Sequence, residues 1–344
     1  MPATYRNLPV DSPELRTGKP TLSLIKQLFG VLWIVVLTVL IAVYITMHWG
    51  ELREIDAVIA RTQPRWILSA GFLEILILFL TARTYQSILL RLGHQVPAFA
   101  IISAYLRGLS AAAVIPFGGP VSVIIFTRAL AKRDVPMNDA VYTSALMSIS
   151  GFASFLVLML PLLSLLYLTH NLPALFVIAT LALVTLFGGA LGIFALTLKW
   201  GRAPSWIARR VPSYVGAFIR QARNHQLRPR DLVTPLLLSI CVDLCGAMML
   251  YTALVSVGKR SGILPAFAAY QIEMFFNVVT PLFQGFGITD LSITVALNNL
   301  GIAVSTAATA TVVYRLWDLW VPLLTGATLH LAHRHYFARH SQSV

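Results

Sequence analysis

TPLFQGFGITD, Thr280 to Asp290, interrupts an apolar run that otherwise extends from Gly262 to Asn298. A plain membrane span would continue as helix at this point. The stretch instead carries a proline, two glycines and a carboxylate. In hydrocarbon, every backbone N–H and C=O freed by a helix break needs a partner, and an ionised Asp at the bilayer centre costs about 2.5 kcal/mol or more. Such a segment is stable only where protein encloses it or where it lines a watery cavity, so it is expected to form part of a substrate site.

The rest of the chain supports a membrane setting. Of 344 residues, 57% are hydrophobic and only 11% charged, and the mean hydropathy is +0.77. That leaves too few polar residues to cover a soluble globule of this length. Apolar runs of about 20 residues identify helical spans rather than barrel strands. The net charge of +13 points to cytoplasmic loops facing anionic lipid, and not to nucleic acid. Cys241 and Cys245, one helical turn apart in an apolar span, are expected to be small buried packing residues. Residues 1–28 read as a basic cytoplasmic tail ahead of an uncleaved first span.

Spans are expected at about 29–49, 66–90, 139–168, 172–198, 232–257 and 302–332. Glu74 and Arg83 lie nine apart in the second and fall on roughly opposite faces, so they should not pair. Gly188 and Gly192 offer a face for close helix approach. Residues 98–130 form a second broken segment. Its centre, Pro116 to Pro120, cannot be continuous helix, because Pro120 lacks a donor and its ring clashes with the carbonyl of Pro116. Half-helices of about 15 residues reach only the midplane at 1.5 Å per residue. A hairpin that enters and leaves on one side fits that length. The stretch 199–231 holds eight basic residues and one acid, with apolar residues at helical spacing, and should lie in part as an amphipathic helix on the membrane.

The two breaks read as copies. Tyr105 precedes Pro116 by eleven residues and Tyr270 precedes Pro281 by eleven, an offset of 165 that grows to 167 downstream, so that Val135 aligns with Ile302 and Ala140 with Ala307. If both are hairpins, six spans remain. Cytoplasmic termini then place Arg91, Arg128, Lys132, Arg133 and the 199–231 stretch inside, as the positive-inside rule requires. Three spans separate the hairpins, so the copies enter from opposite faces, an arrangement common in transporters. The expected fold is therefore an all-α polytopic membrane bundle of about six spans plus two re-entrant hairpins in an inverted repeat. A single domain over 29–332 would contain repeats at about 98–168 and 262–332, followed by a basic tail at 333–344.

These patterns, PFGGP with Arg128 after it and PLFQGFGITD followed by YRLWD, resemble the transmembrane region of lysylphosphatidylglycerol synthases and the stand-alone flippase-like proteins grouped with it. Asp290 stands in for the family's acid, Gln284 replaces one glycine, and Arg315 and Asp318 match. In the first copy Pro120 and Ser148 depart from the carboxylate and arginine often found there, which weights charged chemistry toward the second copy. The resemblance implies handling of a phospholipid or lipid-linked headgroup, without the synthase activity, which resides in a soluble domain.

Arg315 is expected to meet a lipid phosphate, helped by Arg107 or Arg128 and by the half-helix ends at Pro116, Gly118, Gly119, Pro281, Gly285 and Gly287. Asp290, Asp318 and Glu273 would balance the arginines, receive a cationic headgroup or carry a proton. No enzyme activity, metal or cofactor is expected, since no nucleotide loop or metalloprotease motif is present. Partners are the membrane, an anionic phospholipid or lipid-linked substrate, and a second copy or a partner enzyme. Alternatives are a secondary transporter of a small solute and a non-transporting partner of a glycosyltransferase or lipid enzyme.

Overall fold

A computed structural model describes residues 62–113, 118–169, 229–279 and 287–340, with single positions between 46 and 60 and between 181 and 192. The chain divides into units at Met1–Tyr44 and Ile45–Val344, and every described residue lies in the second. The first span, the 172–198 span apart from those single positions, most of the 199–231 stretch, Pro116, Pro281, Gly285 and the last four residues lie outside the described residues.

Among the described residues the regular structure is helical. The helices are α1 (Pro64–Arg91), α2 (Ala98–Ala113), α3 (Gly119–Ala131), α4 (Met137–Thr169), α5 (Val233–Ser256), α6 (Ile263–Val279), α7 (Ile288–Asn299), α8 (Val304–Arg315) and α9 (Val321–His340). A short π-helical segment, Leu316–Trp320, joins α8 to α9. Three stretches, Pro64–Arg91, Met137–Leu165 and Arg230–Ser256, are long and apolar enough to cross a bilayer. The protein is a multi-pass, helical membrane protein.

Helices α1 and α5 form the central antiparallel pair. At one end Arg91 Nη1 lies 3.3 Å from Asp231; at the other, the Gln63 N–H donates to the Ser256 carbonyl at 2.8 Å. The first of these ends is the basic end. There His94 Nε2 lies 2.8 Å from Asp139, and Leu89, Val96, Ile101, Leu130 and Val135 share one buried cluster. That cluster gathers the outer ends of α2 and α3 beside the end of α1 and the start of α4. The outer ends of α6 and α7 fall at the opposite end, where Ala266, Leu297 and Ile302 pack with Ala70 and Val257. Both broken segments therefore fold as packed helix pairs. Helices of 12 to 17 residues extend only about 18 to 26 Å, short of a hydrocarbon core of about 30 Å.

Helix starts and turns are spaced alike in the two halves. Starts of α2 and α6, Ala98 and Ile263, differ by 165, and starts of α4 and α8, Met137 and Val304, differ by 167. Helices α3 and α7 end alike: Asp134 and Gly301 take φ of 60° and 82°. The next residues, Val135 and Ile302, are buried and donate their N–H groups to the carbonyls of Leu130 and Leu297, five residues back. Ends of α1 and α5 match too, with Gly93 and Gly258 both at φ 86°. Positive φ at these turns admits glycine freely and aspartate at some cost.

Close packing between helices rests on missing side chains. A Cβ on Gly246 of α5 would come within 2.4 Å of the Tyr270 ring on α6. Tyr270 is itself buried, and its hydroxyl lies 3.3 Å from Asp243, which also accepts a hydrogen bond from Ser154 of α4. The ring has nowhere to go. Gly246→Ala is expected to destabilise the protein by about 1–3 kcal/mol, read as a lower thermal unfolding temperature in detergent. By contrast, a Cβ on Gly188 or Gly192 would meet nothing within 4 Å among the described residues.

The expected span at about 302–332 is helical from Val304, with a π segment at Leu316–Trp320 between α8 and α9. One expectation is corrected. The cysteines are not buried: Cys241 is exposed and Cys245 half-buried, and both are free thiols. Both sit in the lipid-length helix α5, whose outward face needs apolar side chains as much as its core does.

Candidate functional site

The sequence puts Arg315 at the end of α8, where the helix changes pitch. Such π turns inside α-helices recur at functional sites. Arg315 is 7% exposed, and all three guanidinium nitrogens are engaged. Nε donates to Asp290 Oδ1, and Nη2 donates to Thr289 Oγ1. Nη1 donates to Asp318 Oδ2 at 2.8 Å and lies 2.8 Å from Glu273 Oε1. The contact with Glu273 is an ion pair without the alignment of a hydrogen bond.

Three elements thus meet on one guanidinium. Glu273 comes from α6, Thr289 and Asp290 from the first turn of α7, and Asp318 from the π segment. Gly287, at φ 81°, precedes α7 and donates its N–H to Asp290 Oδ2 at 3.1 Å. The carboxylate of Asp290 therefore caps its own helix with one oxygen and binds Arg315 with the other. The start of α7, expected to offer N–H groups to a substrate anion, is already occupied by the protein's own carboxylate. Arg315 is likewise not a free partner for a phosphate.

Beside this cluster opens a cavity of about 660 Å3. Glu74 and Thr81 of α1, Tyr105 of α2, Asn277 of α6, Arg315 and Asp318 supply its polar lining. Ile77, Leu78, Leu109, Met274, Leu319 and Pro322 supply the apolar part. Gly119 and Pro120 place the start of α3 on its wall, and no side chain caps that start. Gly118 makes the placement possible, since a Cβ there would lie 2.1 Å from the Ala112 carbonyl oxygen.

Charge balance decides what the cavity can hold. Glu74 is 5% exposed, lines the cavity and has no cationic partner among the described residues. Glu273, Asp290 and Asp318 contact the Arg315 guanidinium, and Glu74 shares the cavity lining with Arg315 and Asp318. Unpaired charge is costly in a low-dielectric setting, so the surplus must be met by protons or by a bound cation.

Of the residues singled out in the sequence, the structure brings Arg315, Asp290, Asp318 and Glu273 together, with Gly287 bonded to Asp290, and puts Gly119 on the cavity wall. Sequence reasoning did not separate Arg107 and Arg128, which line a different cavity with Lys132 and Arg133. The reason is axial: Arg128 lies nine residues beyond Gly119, about 13 Å along the helix. Glu74 and Thr289 were missed as site residues. For Glu74 the signal was present, a carboxylate in mid-span; Thr289 gave none.

A family model described as the lysylphosphatidylglycerol synthase TM region matches residues 27–326. A comparison with individual curated proteins finds no match.

Proposed function

The chain belongs to the family of the lysylphosphatidylglycerol synthase transmembrane region, and from that premise we propose that it is a lipid translocase. It moves a phospholipid or lipid-linked headgroup across the cytoplasmic membrane through the cavity beside Arg315. The carrying observation is Glu74, a buried carboxylate on the cavity wall without a cationic partner among the described residues. It favours a headgroup that brings positive charge, an amine above all. The apolar lining beside the charges suits the glycerol and the first acyl carbons. The uncapped start of α3 offers N–H groups to the phosphate of the same lipid.

The architecture behind this reading is six spans and two re-entrant hairpins in an inverted repeat, within one transmembrane domain over 29–332. Its support is the similar offsets, 165 at α2/α6 and 167 at α4/α8, and the opposite ends at which α2–α3 and α6–α7 open. Both termini are cytoplasmic, because the end with Arg91, Arg128, Lys132, Arg133 and Arg230 is the more basic. The protein acts as a carrier and not as an enzyme. A proton-coupled carrier of a small cationic solute is the second reading, favoured by the same surplus of carboxylates.

Native mass spectrometry of gently purified protein tests the proposal. An amine-bearing phospholipid should be retained over phosphatidylcholine, and Glu74→Gln should lower that retention about tenfold, the loss of about one charge-assisted contact. Equal retention by Glu74→Gln, in folded protein, would remove the lipid from this cavity.

A further inference from the structure

A carboxylate stands in the middle of α5 with no base beside it. Asp243 lies ten residues from the start of a 24-residue helix, about 15 Å along its axis. Ser154 of α4, fully buried, donates its hydroxyl hydrogen to Oδ2, and Tyr270 of α6, also buried, donates to Oδ1 at 3.3 Å. One carboxylate thus ties three helices together. Among the described residues no arginine, lysine or histidine pairs with it.

Other ionisable groups lie on the elements packed against α5. They are Glu74 and Arg83 of α1, Glu273 of α6, Tyr314 and Arg315 of α8, and on α5 itself Cys241 and Cys245. Asp139 and Tyr142 of α4 are twelve or more residues from Ser154, and Arg230 and Asp231 are twelve or more from Asp243. Of the described ionisable groups, Tyr270 alone reaches Asp243. Arg315 is committed to Glu273, Asp290 and Asp318. Hydrocarbon disfavours charge at this depth, and two hydroxyl donors favour it. With no counter-ion to settle the balance, the carboxylate can take a proton itself. One oxygen then turns from acceptor to donor, the hydroxyl facing it must turn to accept, and the charge-assisted bonds become weaker neutral ones.

The matching place in the other half is open. At the offset of 165 that relates Gly93 to Gly258, Asp243, Gly246 and Tyr270 correspond to Leu78, Thr81 and Tyr105, and all three line the acid-lined cavity. Around Asp243 the wall is closed, with the Tyr270 ring on Gly246 and its hydroxyl on the carboxylate. Leu78 can make no such tie.

We propose that Asp243 is a proton-binding site at the junction of α4, α5 and α6. Ionised, it holds Ser154 and Tyr270 and keeps this wall closed; protonated, it loosens them. The proton comes from water and returns to it, and no other group is consumed. The inference goes beyond the lipid reading and does not need it, since the proton is bound whether the first cavity carries a lipid or a solute.

The test follows the infrared stretch of protonated carboxyl groups in purified full-length protein as pH is raised. Wild type should lose a band that Asp243→Asn lacks at every pH, and Asp243→Glu should restore one at a shifted frequency. Each hydroxyl bonds the ionised form more strongly, so Ser154→Ala and Tyr270→Phe should each raise the proton affinity read from that band about tenfold, about one unit of pH. Cys245→Ser should leave it unchanged. Identical bands in wild type and folded Asp243→Asn overturn the proton site. An unshifted titration in both Ser154→Ala and Tyr270→Phe overturns its tie to the helix junction, and these two variants decide alone if Asp243→Asn does not fold. A titrating Asp243 band in protein that moves no lipid supports the site and sinks only the translocase reading; lipid movement without that band does the reverse.

Discussion

Arg315→Ala is expected to destabilise the protein by about 3–5 kcal/mol, the range for removing one partner of a buried charge cluster, and to abolish lipid movement. The cause is what remains behind. Glu273 is fully buried, and with Asp290 and Asp318 it would lose the one cation that touches all three. The first turn of α7 would lose its tie to α8, because Thr289 and Asp290 both reach Arg315. Arg315→Lys should recover only part of this, since an ammonium cannot offer the guanidinium fork to several acceptors at once. The informative variant is Arg315→Met with Glu273→Leu, which replaces the most buried pair by apolar groups. Such replacements are often neutral for stability. If the cluster only holds helices together, thermal unfolding and lipid movement recover together; the site reading expects stability to recover and movement to stay lost.

Gly118→Ala is expected to have a comparable effect through sterics alone. The added methyl would lie 2.1 Å from the Ala112 carbonyl oxygen and 2.5 Å from its Cα, and backbone cannot swing aside as a side chain can. Helices α2 and α3 would have to part. The cost is about 3 kcal/mol, the upper end for overpacking, and the α3 end of the cavity would shift with it. Gly119→Ala is the built-in control, because a Cβ there meets nothing within 4 Å among the described residues. Thermal unfolding and size-exclusion profiles of the two variants should differ sharply. Similar behaviour would mean that the contact at Gly118 does not shape the hairpin.

Much of this architecture was legible because hydrocarbon leaves few choices. A proline and glycines inside apolar runs marked both breaks, and the offset from Tyr105 and Tyr270 predicted Val135 and Ile302 as equivalents. Those residues occupy the same turn in the structure. Charges in mid-span marked Arg315 and its acids for the same reason. Three features were not legible. The π segment at Leu316–Trp320 contains no proline or glycine to announce it. The capping of α7 by its own Asp290 needs the backbone geometry at Gly287. The separation of Arg128 from Arg315 depends on Arg128 lying toward the outer end of α3, although the axial distance along α3 could have raised it. The surplus of carboxylates was present in the sequence, but only the cavity brought Glu74 beside Asp318.

Passage of a lipid headgroup between leaflets through the acid-lined cavity is the proposed activity. Its most direct measurement places purified protein in vesicles whose amine-bearing phospholipid starts in the inner leaflet, and follows labelling of that amine by an impermeant reagent. Wild-type protein should raise the rate of exposure at least about tenfold over empty vesicles, a barrier lowered by about 1.4 kcal/mol or more. Glu74→Gln and Asp318→Asn should each return it close to the empty-vesicle rate, while Arg65→Gln should not. Wild-type rates from folded Glu74→Gln and Asp318→Asn proteins would contradict the account.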